Sequence, residues 1–264
     1  MHPTTRRLGT VVVRSVCLIA VTITVVTIGA RSAEIGRRLH YWRYGTVRTE
    51  GVLVKLPPED PFLQYLLARG TRDIESELTD YLRDTLKPGD TFVDVGANVG
   101  WFTLIAAKAV GPTGRVVAVE PEPRNAAKLR GNVAANGFGN VTVLEKAASD
   151  TPGTLSLHIA DLGENHSVAD LGYGRGTVSV EAVRLDDAIT GPVRLIKVDV
   201  EGYEAQVLAG LERTPRDNPG VVLVIEFDPV LLGAAGTDPG ALLRSLADKG
   251  FRPKRLGGNL LLAR

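Results

Sequence analysis

Hydrophobic and polar positions change their period along this chain, and the changes mark its elements. Five short apolar runs, rich in valine and isoleucine, begin near Phe92, Arg115, Asn140, Leu195 and Val221 and read as strands buried on both faces. Between them lie stretches with apolar positions at helical spacing: Trp101 to Val110, Arg124 to Ala135 and Glu204 to Leu211. Asp238 to Lys249 reads as a further helix closed by Gly250, and Phe251 to Arg264 as a terminal hairpin around Gly257-Gly258-Asn259. Thr154 to Ile159 and Thr177 to Leu185 alternate as additional strands. Upstream, Gly51 to Leu56 predicts a short strand, Phe62 to Ala68 a turn or two of helix, and Asp73 to Leu86 a helix that Lys87-Pro-Gly-Asp90 ends. The expected fold is α/β, a doubly wound, mostly parallel sheet. The section from 51 to 90 is expected to cap its ligand site.

Residues 1–50 do not share this alternation. Val16 to Ala30 carries no charge, and with Thr10 to Val13 and Arg14 it approaches the ~20 residues that a membrane span needs. It predicts an N-terminal hydrophobic helix serving as a membrane anchor; a signal-like segment and a soluble helix are the alternatives. Arg31, Arg37, Arg38, Arg43 and Arg48 outnumber the Arg6, Arg7 and Arg14 that precede the run, a bias that favours a cytoplasmic C-terminal domain. Tyr41, Trp42 and Tyr44 suit a membrane interface. The expected organisation is an anchor and basic linker over 1–50 and a catalytic domain over 51–264. Soluble cytoplasmic residence is the alternative location.

Composition narrows the partners. The 31 lysines and arginines nearly balance 30 aspartates and glutamates, so the net charge of +1 gives no reason to expect nucleic acid. Cys17 is the only cysteine, which excludes an intrachain disulfide and a cysteine-based zinc site.

The candidate chemistry begins where the Phe92 strand gives way to Asp94-Val-Gly96-Ala-Asn98-Val-Gly100 and then a helix. A strand, a glycine turn and a helix N-terminus make a site for a small charged ligand. Asn98 stands where a dinucleotide fingerprint needs its second glycine, which disfavours a pyrophosphate. The Asp94 carboxylate suits an ammonium group, and S-adenosylmethionine carries both an ammonium and a carboxylate. About twenty residues on, Glu120 ends the second strand, where an acidic residue accepts ribose hydroxyls. Ala147, after the third strand, leaves room for an adenine. The polar, glycine-rich stretch 163–176 reads as a substrate lid, and His166 is its one histidine, a candidate base or a solvated surface residue. In Leu195-Ile-Lys-Val-Asp-Val-Glu-Gly-Tyr-Glu204, the ionisable Lys197, Asp199 and Glu201 alternate, which predicts one shared face near a strand end. Asp199 is the first candidate to orient or deprotonate an acceptor; Glu201 and Lys197 could tune it. Oxygen ligation of a metal by Asp199, Glu201 and Glu226 is conceivable, but no metal is expected.

These motifs together resemble the FkbM family of S-adenosylmethionine-dependent methyltransferases. The likeness runs from about Gly51 to the C-terminus and is strongest in Gly89 to Phe102, Ala118 to Pro121 and Ile196 to Glu204. It implies a Rossmann-like class I methyltransferase with S-adenosylmethionine as cofactor. It further implies that Asp94, Gly96, Asn98 and Gly100 surround the methionine portion and Glu120 holds the ribose. The implied activity is O-methylation of a hydroxyl on a small molecule, sugar or glycolipid. N-methylation and a non-catalytic cofactor-binding module at the membrane are the alternatives.

Overall fold

The computed structural model describes residues 45–71, 74–160, 166–172 and 176–264. The expected anchor and most of its flanking arginines lie outside the described residues. No helix among the described residues is long and apolar enough to cross a membrane.

The folded unit begins at Thr46 rather than at 51. Strand β1 (Thr46–Thr49) pairs antiparallel with β2 (Val52–Lys55), so four residues expected in the linker form half of a hairpin. Helix α1 (Pro61–Arg69) follows, capped by Asp60 and started by its own proline. Helix α2 (Ser76–Thr85) starts later than its apolar spacing predicts because Glu75 adopts a left-handed backbone, φ 34°.

Strand β3 (Thr91–Val95) leads through the glycine turn into α3 (Trp101–Val110). Strand β4 (Arg115–Val119), α4 (Pro123–Ala135) and β5 (Val141–Leu144) complete the first half. A small three-stranded sheet follows, with β8 (Thr177–Val183) between β6 (Ala147–Ala148) and β7 (Gly153–His158). After the short α5 (Leu185–Ala188) come β9 (Leu195–Val198), α6 (Glu204–Ala209), α7 (Arg213–Asp217) and β10 (Val222–Glu226). The chain ends in α8 (Pro229–Ala234), α9 (Pro239–Asp248) and the hairpin of β11 (Arg252–Leu256) and β12 (Asn259–Ala263).

The main sheet runs β11-β12-β10-β9-β3-β4-β5. Its strands are parallel except β12, which is antiparallel to both neighbours. Strands β3, β4, β9 and β10 bury nearly every residue, which accounts for their unbroken apolar runs. Chain order reverses between β3 and β9, and an open sheet of this type binds ligands at the strand ends beside that reversal.

The β1–β2 hairpin is held to this sheet through α4. Asn132 and Asn136, one helical turn apart, accept the backbone N–H groups of Lys55 and Leu53, each at 2.7 Å. Their amides also donate to Val99 and Leu53 carbonyls, so an exposed strand edge is paired with side chains instead of another strand. Lys128 adds an ion pair to the α1 cap, 2.6 Å from Asp60.

Candidate active site

Two loops meet at the reversal point, and their contact depends on a glycine. Gly96 has φ 76°, and a Cβ there would lie 1.8 Å from the Asp199 carbonyl oxygen. The Asp199 N–H donates to the Val95 carbonyl at 3.1 Å, locking the β9 loop against the β3 loop. Gly100 (φ 97°) caps α3 and leaves no room for a side chain against Leu129. Beside these loops opens a cavity that reaches from Ala147, Ala148 and Leu157 at one end to Glu75, Lys197 and Asp199 at the other.

Of the residues singled out in the sequence, Gly96, Asn98, Glu120, Ala147, His166, Lys197, Asp199 and Glu201 line this cavity. Asp94 and Gly100 do not line it. The Asp94 carboxylate is 1 % exposed and turns away from the cavity: Oδ2 accepts the Thr103 hydroxyl at 2.5 Å, and Oδ1 lies 3.8 Å from Lys197 Nζ. Burial raises its pKa against the opposing pull of Lys197 and Thr103.

At the Ala147 end, Glu120 is buried and accepts backbone N–H groups from Asn98 (2.7 Å) and Glu122 (3.0 Å). Burial outweighs these bonds and pushes its carboxyl up to about 7. His166 belongs to the same end. Its Nδ1 accepts the Ala160 N–H at 3.0 Å, burial lowers its pKa, and the charges it feels are those of Glu122, Lys128 and Arg124. The structure therefore does not group His166 with Lys197 and Asp199. The rest of the expected lid, residues 161–165 and 173–175, lies outside the described residues.

The other end is organised around Lys197, which is 2 % exposed. Its ammonium lies 2.9 Å from Asp199 Oδ2 and 5.2 Å from the centroid of the Phe102 ring. Burial acts to lower the Lys197 pKa, but the charges of Asp199, Asp94 and Glu75 outweigh it and hold the ammonium above the usual lysine range. The expected alternation of Lys197, Asp199 and Glu201 on one strand face does not occur. Strand β9 stops at Val198, and Glu201 turns with φ 53°, so Asp199 and Glu201 are loop residues. The last glutamate of that motif holds the loop together, since Glu204 Oε1 accepts the N–H groups of Val200 (3.1 Å) and Gly202 (3.2 Å). Behind the loop, oxygens of Asp199, Glu201 and Glu226 lie within 4.8 Å of one another. Burial, then the negative charges of Asp199 and Glu201, push Glu226 up to about 10, so it is a neutral acid at physiological pH.

Among the lining residues that the sequence reading did not single out as site residues are Trp101 and Glu75. Trp101 opens α3 and is 5 % exposed, yet its Nε1 donor has no hydrogen-bond partner among the described residues. Oδ1 of the expected Asn98 is likewise buried without a partner. Glu75 comes from the cap segment, and nothing in its local sequence separates it from the other acidic residues around α2.

Comparison with known proteins agrees with this geometry. Residues 94–253 match the Methyltransferase FkbM domain. The chain is 30% identical over 189 residues to the 31-O-demethyl-FK506 methyltransferase FkbM of Streptomyces tacrolimicus, covering 57% of this chain and 72% of that protein. It is 26% identical over 180 residues to the hexuronic acid methyltransferase AglP of Haloferax volcanii, covering 66% and 68%. Methyltransferase 1 of Beauveria bassiana is 31% identical over 150 residues, 47% of this chain, and the match spans 60% of the length of that relative.

Proposed function

Because this chain belongs to the FkbM methyltransferase family and is thereby an S-adenosylmethionine-dependent methyltransferase, we propose that it methylates a hydroxyl of a small molecule, sugar or glycolipid. The observation that carries the placement of the donor is the pair of orphaned atoms at the glycine loop. An unpaired buried polar group costs roughly 1–3 kcal/mol, so Asn98 Oδ1 and Trp101 Nε1 call for a ligand with one donor and one acceptor. An amino acid head group supplies both: Asn98 would accept from its ammonium and Trp101 would donate to its carboxylate. Glu120, with Asn98 and Glu122 holding its orientation, would take the ribose hydroxyls, while Ala147 and Ala148 leave room for the base. Asp94 acts from behind the wall by holding Lys197, and Gly96 and Gly100 supply the backbone shape.

The bound donor supplies an electrophilic methyl group on a sulfonium. For such a displacement the protein must position the acceptor and receive its proton. Asp199 is placed for this, with one oxygen held by Lys197 and its side chain 25 % exposed. Glu201, in the same loop, shapes the field around it. FkbM of Streptomyces tacrolimicus acts on a 31-O position and AglP on a hexuronic acid, which supports a hydroxyl acceptor. The uncharged run Val16 to Ala30 and its arginine flanks support attachment of the domain to a membrane, facing the cytoplasm.

The test is transfer of labelled methyl from S-adenosylmethionine to a sugar and lipid extract of cells that express the chain, with the label then characterised as an ether. Asp199→Asn is expected to cut transfer at least about 100-fold, within the range typical of general-base removal, while cofactor affinity stays within threefold. Label recovered as N-methyl, or a fully active Asp199→Asn, refutes the proposal.

A further inference from the structure

Glu75 is the feature of the cavity that the donor site does not explain. It is non-glycine yet left-handed (φ 34°), and the residues on either side of it, Ile74 and Ser76, continue into an ordinary helix start. Holding a glutamate in that conformation costs roughly 1–2 kcal/mol and persists only where the surroundings impose it. Here the surroundings are Asn259, whose amide donates to Glu75 Oε2 at 2.6 Å across 184 residues of sequence. Asn259 is 4 % exposed and opens β12, where it pairs with Glu226 of β10. A hydrogen bond from the far side of the sheet thus turns the Glu75 carboxylate toward Lys197 and Asp199.

The sheet order says which part of the reaction Glu75 serves. The nucleoside residues Glu120 and Ala147 follow β4 and β5 on one side of β3; Lys197, Asp199, Glu226 and Asn259 belong to β9, β10 and β12 on the other. Glu75 is tethered to this second side, beyond the reversal point, and so belongs with the acceptor. Glu75 itself lines the cavity. Resting on the reading of the chain as a hydroxyl methyltransferase, we infer that Glu75 is an acceptor-binding carboxylate, positioned by Asn259, and that it selects neutral or amine-bearing hydroxyl compounds over carboxylate-bearing ones.

The selection follows from charge. Among the described residues lining the cavity, Lys197 is the one lysine or arginine, against Glu75, Glu120, Asp199 and Glu201. Lys197 is already engaged by Asp199 at 2.9 Å and faces Asp94 at 3.8 Å. The sulfonium of the donor adds one positive charge, and carboxylates still outnumber cations. An acceptor that carried its own carboxylate beside the reacting hydroxyl would meet like charge in a poorly solvated site. A neutral polyol or an amino sugar instead donates hydrogen bonds to Glu75 and Asp199. This separates the chain from AglP, which acts on a hexuronic acid.

The transfer conserves atoms simply. The acceptor oxygen forms a bond to the methyl carbon, the carbon–sulfur bond breaks with its electron pair returning to sulfur, and the hydroxyl proton passes to Asp199. Glu75 holds the acceptor during this step without taking the proton.

The experiment uses the full chain, labelled S-adenosylmethionine and the sugar and lipid extract, with the labelled products separated by anion exchange. Label is expected in the unretained, neutral and cationic fraction. Glu75→Gln should lower total label roughly 10- to 100-fold through a raised acceptor KM, as loss of a charged hydrogen bond would. Binding of S-adenosylhomocysteine and thermal stability should be unchanged. Asn259→Ala should give a smaller loss in the same direction, and Glu75→Asp should restore part of it. Label mainly in the retained, acidic fraction overturns the inference, as does Glu75→Gln with wild-type KM or with weakened cofactor binding. A wild-type chain that binds cofactor but labels no hydroxyl refutes the transfer reading itself, and this inference with it.

Discussion

With Glu120 assigned to the ribose, cofactor affinity is expected to depend on pH, with a sign that follows from the burial of that carboxyl. Its carboxyl is pushed up to about 7, whereas an unfolded chain ionises at the usual carboxylate value of 4.5. A carboxyl raised on folding contributes its full share of stability below 4.5 and loses it as pH climbs through the folded value. The free domain should therefore weaken between about pH 4.5 and 7, by at most about 3 kcal/mol at 1.36 kcal/mol per unit. If Glu120 takes the ribose hydroxyls, as proposed, they donate to its ionised form, and binding would select the form that the empty pocket disfavours. Affinity for S-adenosylhomocysteine should fall about tenfold, or about 1.4 kcal/mol, for each pH unit below 7. The assay is calorimetric titration from pH 5.5 to 8.5 in two buffers of different ionisation enthalpy, which should reveal proton release on binding near pH 6 to 7. Glu120→Gln should flatten the slope and weaken binding at pH 8 by roughly 10- to 100-fold, the value of one or more hydrogen bonds to a charged group. His166 lines the same end and is another titratable group there, while Glu204, in the loop after β9, is also pushed up to about 7 by burial. A slope that survives Glu120→Gln but vanishes in His166→Asn would assign the effect to the histidine. A flat wild-type profile would refute the role of Glu120 altogether.

Two further outcomes concern the frame of the site. Gly96→Ala adds a Cβ 1.8 Å from the Asp199 carbonyl at a φ of 76°, so urea denaturation should show a loss of at least about 2 kcal/mol, and cofactor binding should disappear; an unchanged midpoint would contradict the loop contact. Glu226, pushed up from 4.5 to about 10, behaves as Glu120 does but over a wider range: stability should go on declining above pH 7, toward 10, and Glu226→Gln should abolish that part of the decline. Millimolar magnesium should leave the wild-type Tm at pH 7 unchanged, since one of the three clustered carboxyls is then protonated; a rise of several degrees would establish a metal site there.

The parts of this protein legible in its sequence are those encoded within a few residues. The apolar runs of β3, β4, β9 and β10 declare strands buried on both faces, and the glycine turn after β3 declares a ligand loop. The terminal hairpin is readable from Gly257-Gly258-Asn259 for the same reason. What stays hidden depends on partners distant in sequence. Thr46-Val-Arg-Thr49 resembles the basic flank before it until β2 pairs with it. Asp94 looks like a ligand group, and only the positions of Thr103 and Lys197 show that its carboxylate is used inside the wall. Alternation past Val198 is a fair inference from spacing, but β9 ends there once Asp199 engages Val95. Glu75 owes its backbone and direction to Asn259, and no local pattern announces a bond across 184 residues.

That same bond has a consequence for how the enzyme comes into being. The glycine loop, Glu120 and Ala147 all precede residue 150, whereas Asn259 is made about 110 residues later. At the ~5–20 residues per second of protein synthesis, these residues precede the tether of Glu75 by roughly 6 to 22 seconds. For roughly the first half of that interval β3 has no β9 beside it, because Leu195 to Asp199 are still to be made. Until Asn259 is made, Glu75 lacks the hydrogen bond that fixes its direction. The side of the cavity we assign to the acceptor is therefore the last part of the domain to be set in place.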